Sequence, residues 1–581
     1  MLLKVVRKLI MLLVVFIFSF SVVLTGCGGG TASSDKPVPT KGPDAGKEET
    51  GIAPFPLTGK ANVPKSGKIT ATVWDFQKCP KEMGDMTNNV WTKWINENCP
   101  VDVKFVPITR WDESTLIRQK FASGTAPDYV FVYDSTLRAS LYRDKMILRL
   151  NDLIEKNSTE YKKVVEPFWK NMMSVAATVE GDIFAFVRVE EPSLGAKCPT
   201  IRVDWLEKLG LEKPTTPEEF LEVCKAFTNN DPDGNGKDDT YGYNLAEPGP
   251  FFLEASYGIA EVGSKKWRPY IIEDGKLVIP WDRIKEFTGF MKQLYDAGVV
   301  DKDFVVDRDG SKATQDFLQG KLGIAQINNG FAADKEVTRT YLTNNPIAKQ
   351  APVPYLKTKF GQFKMGVGNN VGAVAVLNAK AKDPVAVMKY VDFCSTEKYA
   401  RFVQLGVEGR HFEYKPNGRG IIRLNKELTT KEFDTISWEY RHNKHGILIK
   451  DVSNPMFTYD VKDPVERAMY LHTYETWKHV GIEQDAVDQP YPALPKELNT
   501  RESSAMKKAR ELIYKCVTTR SYSVDEFFKE IQNEWNKAGG PEIEKYYNDW
   551  YTKYKDRVLT KAELNKKGKL PELLPVEELE K

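Results

Sequence analysis

The sequence predicts an α/β protein, and three observations carry that prediction. Short β-type runs at 69–74, 101–105 and 129–133 are separated by segments of helical period. Capped amphipathic helices open at Thr216, Asp383 and Ser523. A further strand-like run, Lys321–Ile327, follows in the middle of the chain.

Taken in order, Ile69-Thr70-Ala71-Thr72-Val73-Trp74 alternates as a half-buried strand does. Val90, Trp91 and Trp94 mark a helix reaching Asn98, and Val101, Val103 and Phe105 alternate again. The next helix starts at Asp112-Glu113-Ser114, with Leu116, Ile117 and Phe121 on one face. Tyr129-Val130-Phe131-Val132-Tyr133 is a continuous apolar run, as expected of a strand covered on both faces. This β-α-β-α-β order implies parallel strands joined by right-handed crossovers. Ligands bind such sheets beyond the carboxyl ends of the strands, where Trp74-Asp75-Phe76 and Tyr133-Asp134-Ser135 fall. Farther on, Thr216-x-x-Glu219 and Ser523-x-x-Glu526 are capping boxes, the first with Pro217 at the opening helical position. Phe220, Val223, Cys224 and Phe227 line one helix; Val387, Met388, Val391 and Cys394 line another, after which Ser395 is expected to cap a helix running to Gly406. Trp205 and Trp535 sit on helix faces, and Tyr547, Trp550, Tyr551 and Tyr554 have helical spacing, so these aromatics read as packing.

A length of 581 residues allows two to four domains. The 83 basic residues against 80 acidic ones leave no concentrated positive charge for phosphate, which argues against a nucleic-acid partner. Five histidines leave little material for multi-histidine metal chemistry. The apolar run at the N-terminus is the only one of membrane length, which excludes a multi-span membrane protein.

That run follows Lys4, Arg7 and Lys8 and ends in Leu24-Thr25-Gly26-Cys27. Residues 1–26 therefore read as a signal peptide, and the four-residue end resembles a bacterial lipoprotein box, which implies lipidation of Cys27. Residues 27–66 are rich in Gly, Pro, Ser, Thr and Lys and read as a flexible tether. The expected location is the extracellular face of the cell membrane, held by a lipid anchor. Six further cysteines are too sparse for a disulfide scaffold and form no CxxC pair; Cys224 and Cys394 read as core residues.

The loop at 231–242 places oxygen-bearing side chains at every second position: Asp231, Asp233, Asn235 and Asp239, with Lys237 offering a carbonyl and Thr240 following. A calcium ion needs six to eight converging oxygens. The first six residues match an EF-hand loop, but Gly242 stands where that motif has a bidentate glutamate. A solvated Asp/Gly turn is the competing reading; a structural calcium site is the expectation.

Ile201–Leu211, then Lys213–Phe220, then the 231–242 loop form an ordered set that resembles the extracellular solute-binding proteins of family 1, in the large lipoprotein branch serving ABC sugar importers. Ala122–Asp128, Gly181–Phe184, Gly406–Glu413 and the tyrosine-rich 546–554 are similar to the same branch. The resemblance implies a two-lobed, periplasmic-binding-protein-like (type II) α/β fold with an interlobe cleft. It implies that 67–190 and 360–410 build the N-terminal lobe and that 191–359 and 411–581 build the C-terminal lobe. It further implies calcium on Asp231, Asp233, Asn235, Lys237 and Asp239, with Thr240 standing where a carboxylate often follows.

A sugar presents one apolar face and a rim of hydroxyls, so its site needs an aromatic ring beside planar donors and acceptors. The candidates at strand ends or breaks are Trp74, Asp75, Phe76, Trp111, Tyr133 and Asp134 in the first lobe, Arg188 and Glu190 at the crossover, and Tyr257, Trp267, Asn329, Glu408, Arg410 and Trp438 later. No GxSxG, HExxH or P-loop is present, and His442 and His445 read as part of a solvated segment. The expected function is non-catalytic: a monomeric receptor that captures a carbohydrate, an oligosaccharide in particular, and delivers it to ABC permease subunits. The alternatives are an extracellular polysaccharide hydrolase or lyase, and a sugar-binding protein feeding a sensor kinase.

Overall fold

The computed structural model describes residues 63–567 except 78, 190–197, 260–268, 328–329, 367, 370, 417–420, 435–439, 441–442, 446–460, 482–484, 489–490 and 493. The expectations for Cys27, Glu190, Trp267, Asn329, Trp438, His442 and the signal peptide lie outside these residues, as does nearly all of the tether. Among the described residues no helix is long and apolar enough to cross a membrane.

The strands are β1 (Lys68–Asp75), β2 (Asp102–Thr109), β3 (Tyr129–Phe131), β4 (Phe186–Val189), β5 (Thr200–Arg202), β6 (Tyr241–Tyr243), β7 (Ile271–Glu273), β8 (Lys276–Val278), β9 (Leu322–Ala325), β10 (Gln350–Pro352), β11 (Val371–Leu377), β12 (Phe412–Tyr414) and β13 (Ile421–Arg423). The helices that bear on the argument are α1 (Val90–Asn98), α2 (Glu113–Ala122), α3 (Ser135–Arg143), α4 (Trp169–Ala176), α5 (Pro217–Asn229), α6 (Pro250–Ser256), α7 (Pro384–Cys394), α8 (Glu397–Leu405), α9 (Pro464–Trp477), α10 (Lys496–Thr518), α11 (Val524–Lys537) and α12 (Gly540–Tyr554).

Two sheets organise the described chain. The first has the order β2-β1-β3-β11-β4 and the second β10-β5-β9-β6. As the alternation predicts, β1 runs parallel to β2 from Lys68 opposite Asp102 to Asp75 opposite Thr109, and parallel to β3 at Ala71 opposite Tyr129. The long return strand β11 is antiparallel to both β3 and β4. In the second sheet β6 and β9 are parallel, while β5 is antiparallel to β9 and β10. The chain therefore passes from the first sheet to the second after β4 and returns after β10.

Local signals act as the residue types require. The Thr216–Glu219 and Ser523–Glu526 boxes close in both directions. Asn89 adds a third box at α1, accepting from the Trp91 and Thr92 amides. The cap expected at Ser395 is instead Thr396, whose hydroxyl accepts from the Tyr399 amide. Ser395 is fully buried and donates its hydroxyl backward to the Val391 carbonyl at 2.7 Å. Trp205, Trp535, Tyr547, Trp550 and Tyr551 are all buried in the core of the second lobe, together with Phe220, Val223, Cys224 and Phe227.

Two expectations need correction. Glu432, Phe433, Tyr440 and His445, in the stretch assigned above to the second lobe, pack on the first. The Trp91 indole donates to the Glu432 carbonyl at 3.2 Å and its ring meets Phe433, while Asn89 donates to the Tyr440 hydroxyl at 2.8 Å. His445 is not solvated but fully buried. Its Nδ1 lies 2.9 Å from the Val187 carbonyl, which places the proton there, so Nε2 accepts from the Tyr129 hydroxyl at 2.8 Å. Burial lowers its pKa to about 4 and keeps the ring neutral. Its backbone completes the join, accepting from the Val189 amide and donating to the Cys394 carbonyl.

Helix α4 of the first lobe meets segments from elsewhere in the chain through polar groups. Asn171 donates to Asn369, and Asn369 donates to Asp488 at 2.8 Å. Lys170 pairs with Glu563 at 2.6 Å, and the Tyr554 hydroxyl donates to Glu180 at 2.9 Å.

One buried group sets a pH dependence. The Glu254 carboxyl on α6 has an oxygen with no hydrogen-bond partner, and burial pushes its pKa up to about 8. The unfolded chain loses this proton near its ordinary pKa of 4.5, whereas the folded chain keeps it to about 8. Stability from this group therefore falls as pH rises between those values and levels off above them. Glu254→Gln is expected to raise the unfolding free energy at pH 8 by roughly 4 kcal/mol and to change it little at pH 4. Urea titrations at the two pH values check this; equal effects at both would remove the assignment.

Candidate functional site

Strands β1, β2 and β3 run in one direction, so their carboxyl ends bring Asp75, Arg110 and Tyr133-Asp134 to one edge of the sheet. The Trp74 and Tyr133 rings stack there at 5.8 Å between centroids and 17° between planes. Phe131 closes on both rings edge-on. The Arg110 guanidinium lies 4.5 Å from the Tyr133 centroid and 5.4 Å from that of Trp74. Trp74 is thereby only 2% exposed, so it supports the surface from below; Tyr133 is half-buried and is the ring that reaches it.

Glu113, at the start of α2, holds this arrangement. One carboxylate oxygen accepts from the Tyr133 amide at 2.6 Å and the other accepts from Arg110 at 3.1 Å. Burial raises its pKa, against the pull of the Tyr133 N–H and the Arg110 charge. Asp134 caps α3 by accepting from the Leu137 amide, and it also accepts from the Ser114 hydroxyl. Asp75 accepts from the Gln77 amide at 2.7 Å. Beneath them the Arg138 guanidinium is 4% exposed and donates to the carbonyls of Val132 and Tyr133. Burial lowers its pKa to about 10, so it remains charged at neutral pH.

Of the other candidates, Trp111 follows Arg110 in the turn after β2, Arg188 lies on β4 opposite Gly372, and Phe76 follows β1. Tyr257 is buried in the core of the second lobe, its ring against Phe287 and Phe290. Glu408 is exposed and bridges to Phe412. Arg410 grips both oxygens of Glu432, at 2.7 and 2.6 Å. The Val407 amide donates to His411 Nδ1, so the ring proton sits on Nε2, facing Glu432 at 3.2 Å. These contacts tie Val407, Arg410 and His411 to one another and to Glu432. In the second sheet the parallel strands β6 and β9 end in an interlock, Asn244 donating to the Gln326 carbonyl at 2.8 Å and accepting from its amide at 3.0 Å. Arg110, Glu113 and Arg138 were not predicted as site residues, yet Arg110 is the first residue past β2 and met the same strand-end rule that selected Trp74 and Tyr133.

The 231–242 loop folds around its own carboxylates. Asp231 accepts from the amides of Gly234, Asn235 and Gly236, the two glycines taking positive φ. The Asn235 side-chain amide lies 2.7 Å from Asp233 and 3.0 Å from Asp239, bridging them. Desolvation and the neighbouring carboxylates of Asp231 and Asp239 push Asp233 upward, a repulsion that a cation would relieve. Among the described residues no group of three or more His, Cys, Asp or Glu is arranged to enclose a metal. The oxygen-rich donor set and the tight turn nonetheless fit a hard cation in kind. Thr240 stands apart, buried and donating its hydroxyl to the Phe227 carbonyl at 2.8 Å.

Two α/β lobes, a chain that crosses between them more than once, and an aromatic and charged edge at parallel strand ends define a solute-binding protein. The chain belongs to the bacterial extracellular solute-binding protein family, whose model matches residues 87–401. It is 27% identical to Lipoprotein LipO of Bacillus subtilis (strain 168) over 64% of this chain and 72% of that one. It is 25% identical to the polygalacturonan/rhamnogalacturonan-binding protein YtcQ of the same organism over 94% of this chain and 99% of that one. Among solved structures, an extracellular solute-binding protein from Bifidobacterium longum subsp. infantis matches with a TM-score of 0.64 at 18% identity, covering 84% of this chain and 98% of the other. An EF-hand mutant of the S. pneumoniae substrate-binding protein FusA, in complex with fructo-nystose, matches with a TM-score of 0.59 at 19% identity, covering 84% and 99%.

Glu113→Ala should strip two donors of their acceptor and cost about 1–3 kcal/mol of stability, with Glu113→Gln costing less because it keeps an acceptor for Tyr133. Denaturant midpoints of the two variants check the ranking.

Proposed function

We propose that this protein captures an oligosaccharide at the extracellular face of the membrane and hands it to the permease subunits of an ABC importer. The observation that carries this reading is the strand-end edge of the first lobe. There a half-buried tyrosine ring lies beside Arg110 and the carboxylates of Asp75 and Asp134, which is the combination of flat face, donor and acceptor that a sugar ring requires. The names of YtcQ, a polygalacturonan/rhamnogalacturonan-binding protein, and FusA, a fructooligosaccharide ABC transporter substrate-binding protein, support the ligand class. Trp267, Asn329 and Trp438 remain candidates for the rest of the site. Closure of the lobes around the ligand would present one shape to the permease, a population shift driven by tighter binding to the closed form.

In this reading Cys27 carries the lipid anchor, residues 27–66 span the distance to the folded body, and the protein acts as a monomer without catalysis. The loop from Asp231 to Asp239 holds a structural calcium ion through Asp231, Asp233, Asn235, the Lys237 carbonyl and Asp239. The EF-hand of the FusA neighbour supports that assignment.

The reading is tested by thermal shift and calorimetry of the purified protein against mono- and oligosaccharides, with product analysis. Binding without turnover is expected. Tyr133→Ala should weaken it by roughly 1–3 kcal/mol, on the scale of aromatic stacking platforms. Turnover that a single carboxylate substitution abolishes would favour the hydrolase alternative. For the loop, calcium should raise the melting temperature of chelator-treated protein, and Asp231→Ala should remove the rise; no heat and no change in melting would discard the ion.

A further inference from the structure

We propose that the face at the amino ends of β1, β2 and β3 is a docking surface for anionic phospholipid headgroups, which holds the receptor with its Tyr133 edge turned to solution. This goes beyond the carbohydrate reading and takes from it only the lipid anchor at Cys27.

The described chain enters the fold at this face. The Asp102 amide donates to the Gly67 carbonyl and the Ser66 amide to that of Pro100. Gly67 lies so close to the start of α7 that a Cβ there would fall 2.7 Å from the Ala386 methyl. The strand order brings three further turns alongside. The Asn378 amide donates to the Asp128 carbonyl and its side chain to that of Ala126, the Ala379 amide donates to the Met146 carbonyl, and the Lys380 ammonium lies over Gly124. Residues 65–68, 99–104, 123–128, 143–146 and 378–389 thus share one end of the sheet, and they hold eight Lys or Arg against four Asp. Lys4, Arg7 and Lys8 account for the whole net charge of +3, so the rest of the chain is balanced and the excess at this face is local.

The four carboxylates are committed, and most of the ammonium groups are not. Asp128 accepts from the Thr70 amide and hydroxyl, both at 2.8 Å, and Asp383 accepts from the Ala386 amide at 2.9 Å. Asp144 pairs with Arg143 at 3.1 Å, and Asp102 lies 3.9 Å from Lys65. Lys65 also serves the Cys99 carbonyl, and Lys389 donates to the Ser66 hydroxyl. Lys68, Lys145, Lys380 and Lys382 are exposed and make no ion pair among the described residues. Met146 and Val385, each 38% exposed, stand among them. Lysines on long stems around exposed apolar side chains suit a layer of phosphate headgroups over acyl chains, which meets the charges as points and covers the apolar atoms. The surface ends at the turn before β4, where Asp182 holds Arg149 and Glu180 accepts from Tyr554. An anchor at Cys27 brings the bilayer to this face, because the chain leading from that residue arrives here, and weak attraction then acts at high effective concentration. The eight residues of β1 put about 26 Å between this face and the Tyr133 edge, so docking leaves the edge open to solute.

The test is co-sedimentation of the mature chain carrying Cys27→Ser, which has no acyl group of its own, with vesicles of phosphatidylcholine alone and of an equal mixture with phosphatidylglycerol. Binding to the anionic vesicles is expected to be at least about tenfold stronger than to the neutral ones and to fall with added salt. Lys380→Glu with Lys382→Glu is expected to weaken it at least about tenfold at unchanged melting temperature, and Lys68→Glu with Lys145→Glu to do the same from the neighbouring turns. Lys380→Arg with Lys382→Arg should retain it. Lys507→Glu with Lys508→Glu makes the same charge change on exposed residues of α10 and should leave binding within about twofold. Equal binding to both vesicles, no binding to either, or the same loss in the α10 pair would overturn the inference. Binding to soluble polyphosphate without binding to vesicles would overturn it in favour of an anionic polymer. Saccharide binding by a chain that ignores the vesicles would overturn it and leave the carbohydrate reading standing, whereas anionic-vesicle binding by a chain that takes no saccharide would support it and remove that reading.

Discussion

The first lobe's binding edge depends on one buried carboxylate. Glu113 is the point at which the turn after β2 and the end of β3 are fastened together, since its two oxygens serve Arg110 on one side and the Tyr133 amide on the other. A carboxylate here is costly to desolvate, and burial raises its pKa. The compensation is a charge-assisted bond on each oxygen. The aromatic stack follows from this: with Arg110 fixed, its guanidinium covers Trp74 and Tyr133 together, and Trp74 becomes the floor of the edge instead of its contact surface.

How far the sequence disclosed this is set by the range of each signal. Parallel β1, β2 and β3, the helices between them and both Thr/Ser–Glu capping boxes are local patterns, and each was legible. Trp74, Tyr133 and Asp134 were found because residues just past parallel strands meet at one edge. Arg110 was missed in favour of its neighbour Trp111 because the aromatic was preferred over the cation. Glu113 was read only as part of a helix start, since nothing in one dimension reveals that its partner amide is twenty residues away. The position of His445 was illegible for a similar reason. Its Arg/Asn/Lys neighbours look solvated, yet the ring fits between Val187 and Tyr129, more than two hundred residues distant. Arg410 and Tyr257 look like strand-break candidates, and long-range contacts give them to Glu432 and to the second core.

The crossing points of the chain carry the same logic into the relation between the sheets. β4 leaves the first sheet at Val189, and the Val189 amide is bonded to the carbonyl of His445, after which the chain continues toward α9. Two exits are thus tied at one buried, neutral imidazole. The polar pairs around α4, by contrast, are partly exposed: Lys170 with Glu563, Tyr554 with Glu180. Solvent-exposed pairs of this kind are individually weak. The join at the exits is therefore built on buried backbone bonds, and the contacts around α4 on partly exposed side chains.

The distribution of carboxylates bears on whether this edge binds or reacts. A glycosidase needs two carboxyl groups flanking the scissile bond, one protonated as acid and the other free as base or nucleophile. At the strand ends of the first sheet the carboxylates have other duties. Glu113 is enclosed by Arg110 and Tyr133, Asp134 caps α3, and Asp75 closes its own turn through the Gln77 amide. Asp134 and Asp75 each keep lone pairs beyond these bonds that can accept from hydroxyl groups. The bonds that hold Tyr133 and Arg110 at the edge are thus the same bonds that occupy its nearest carboxylate.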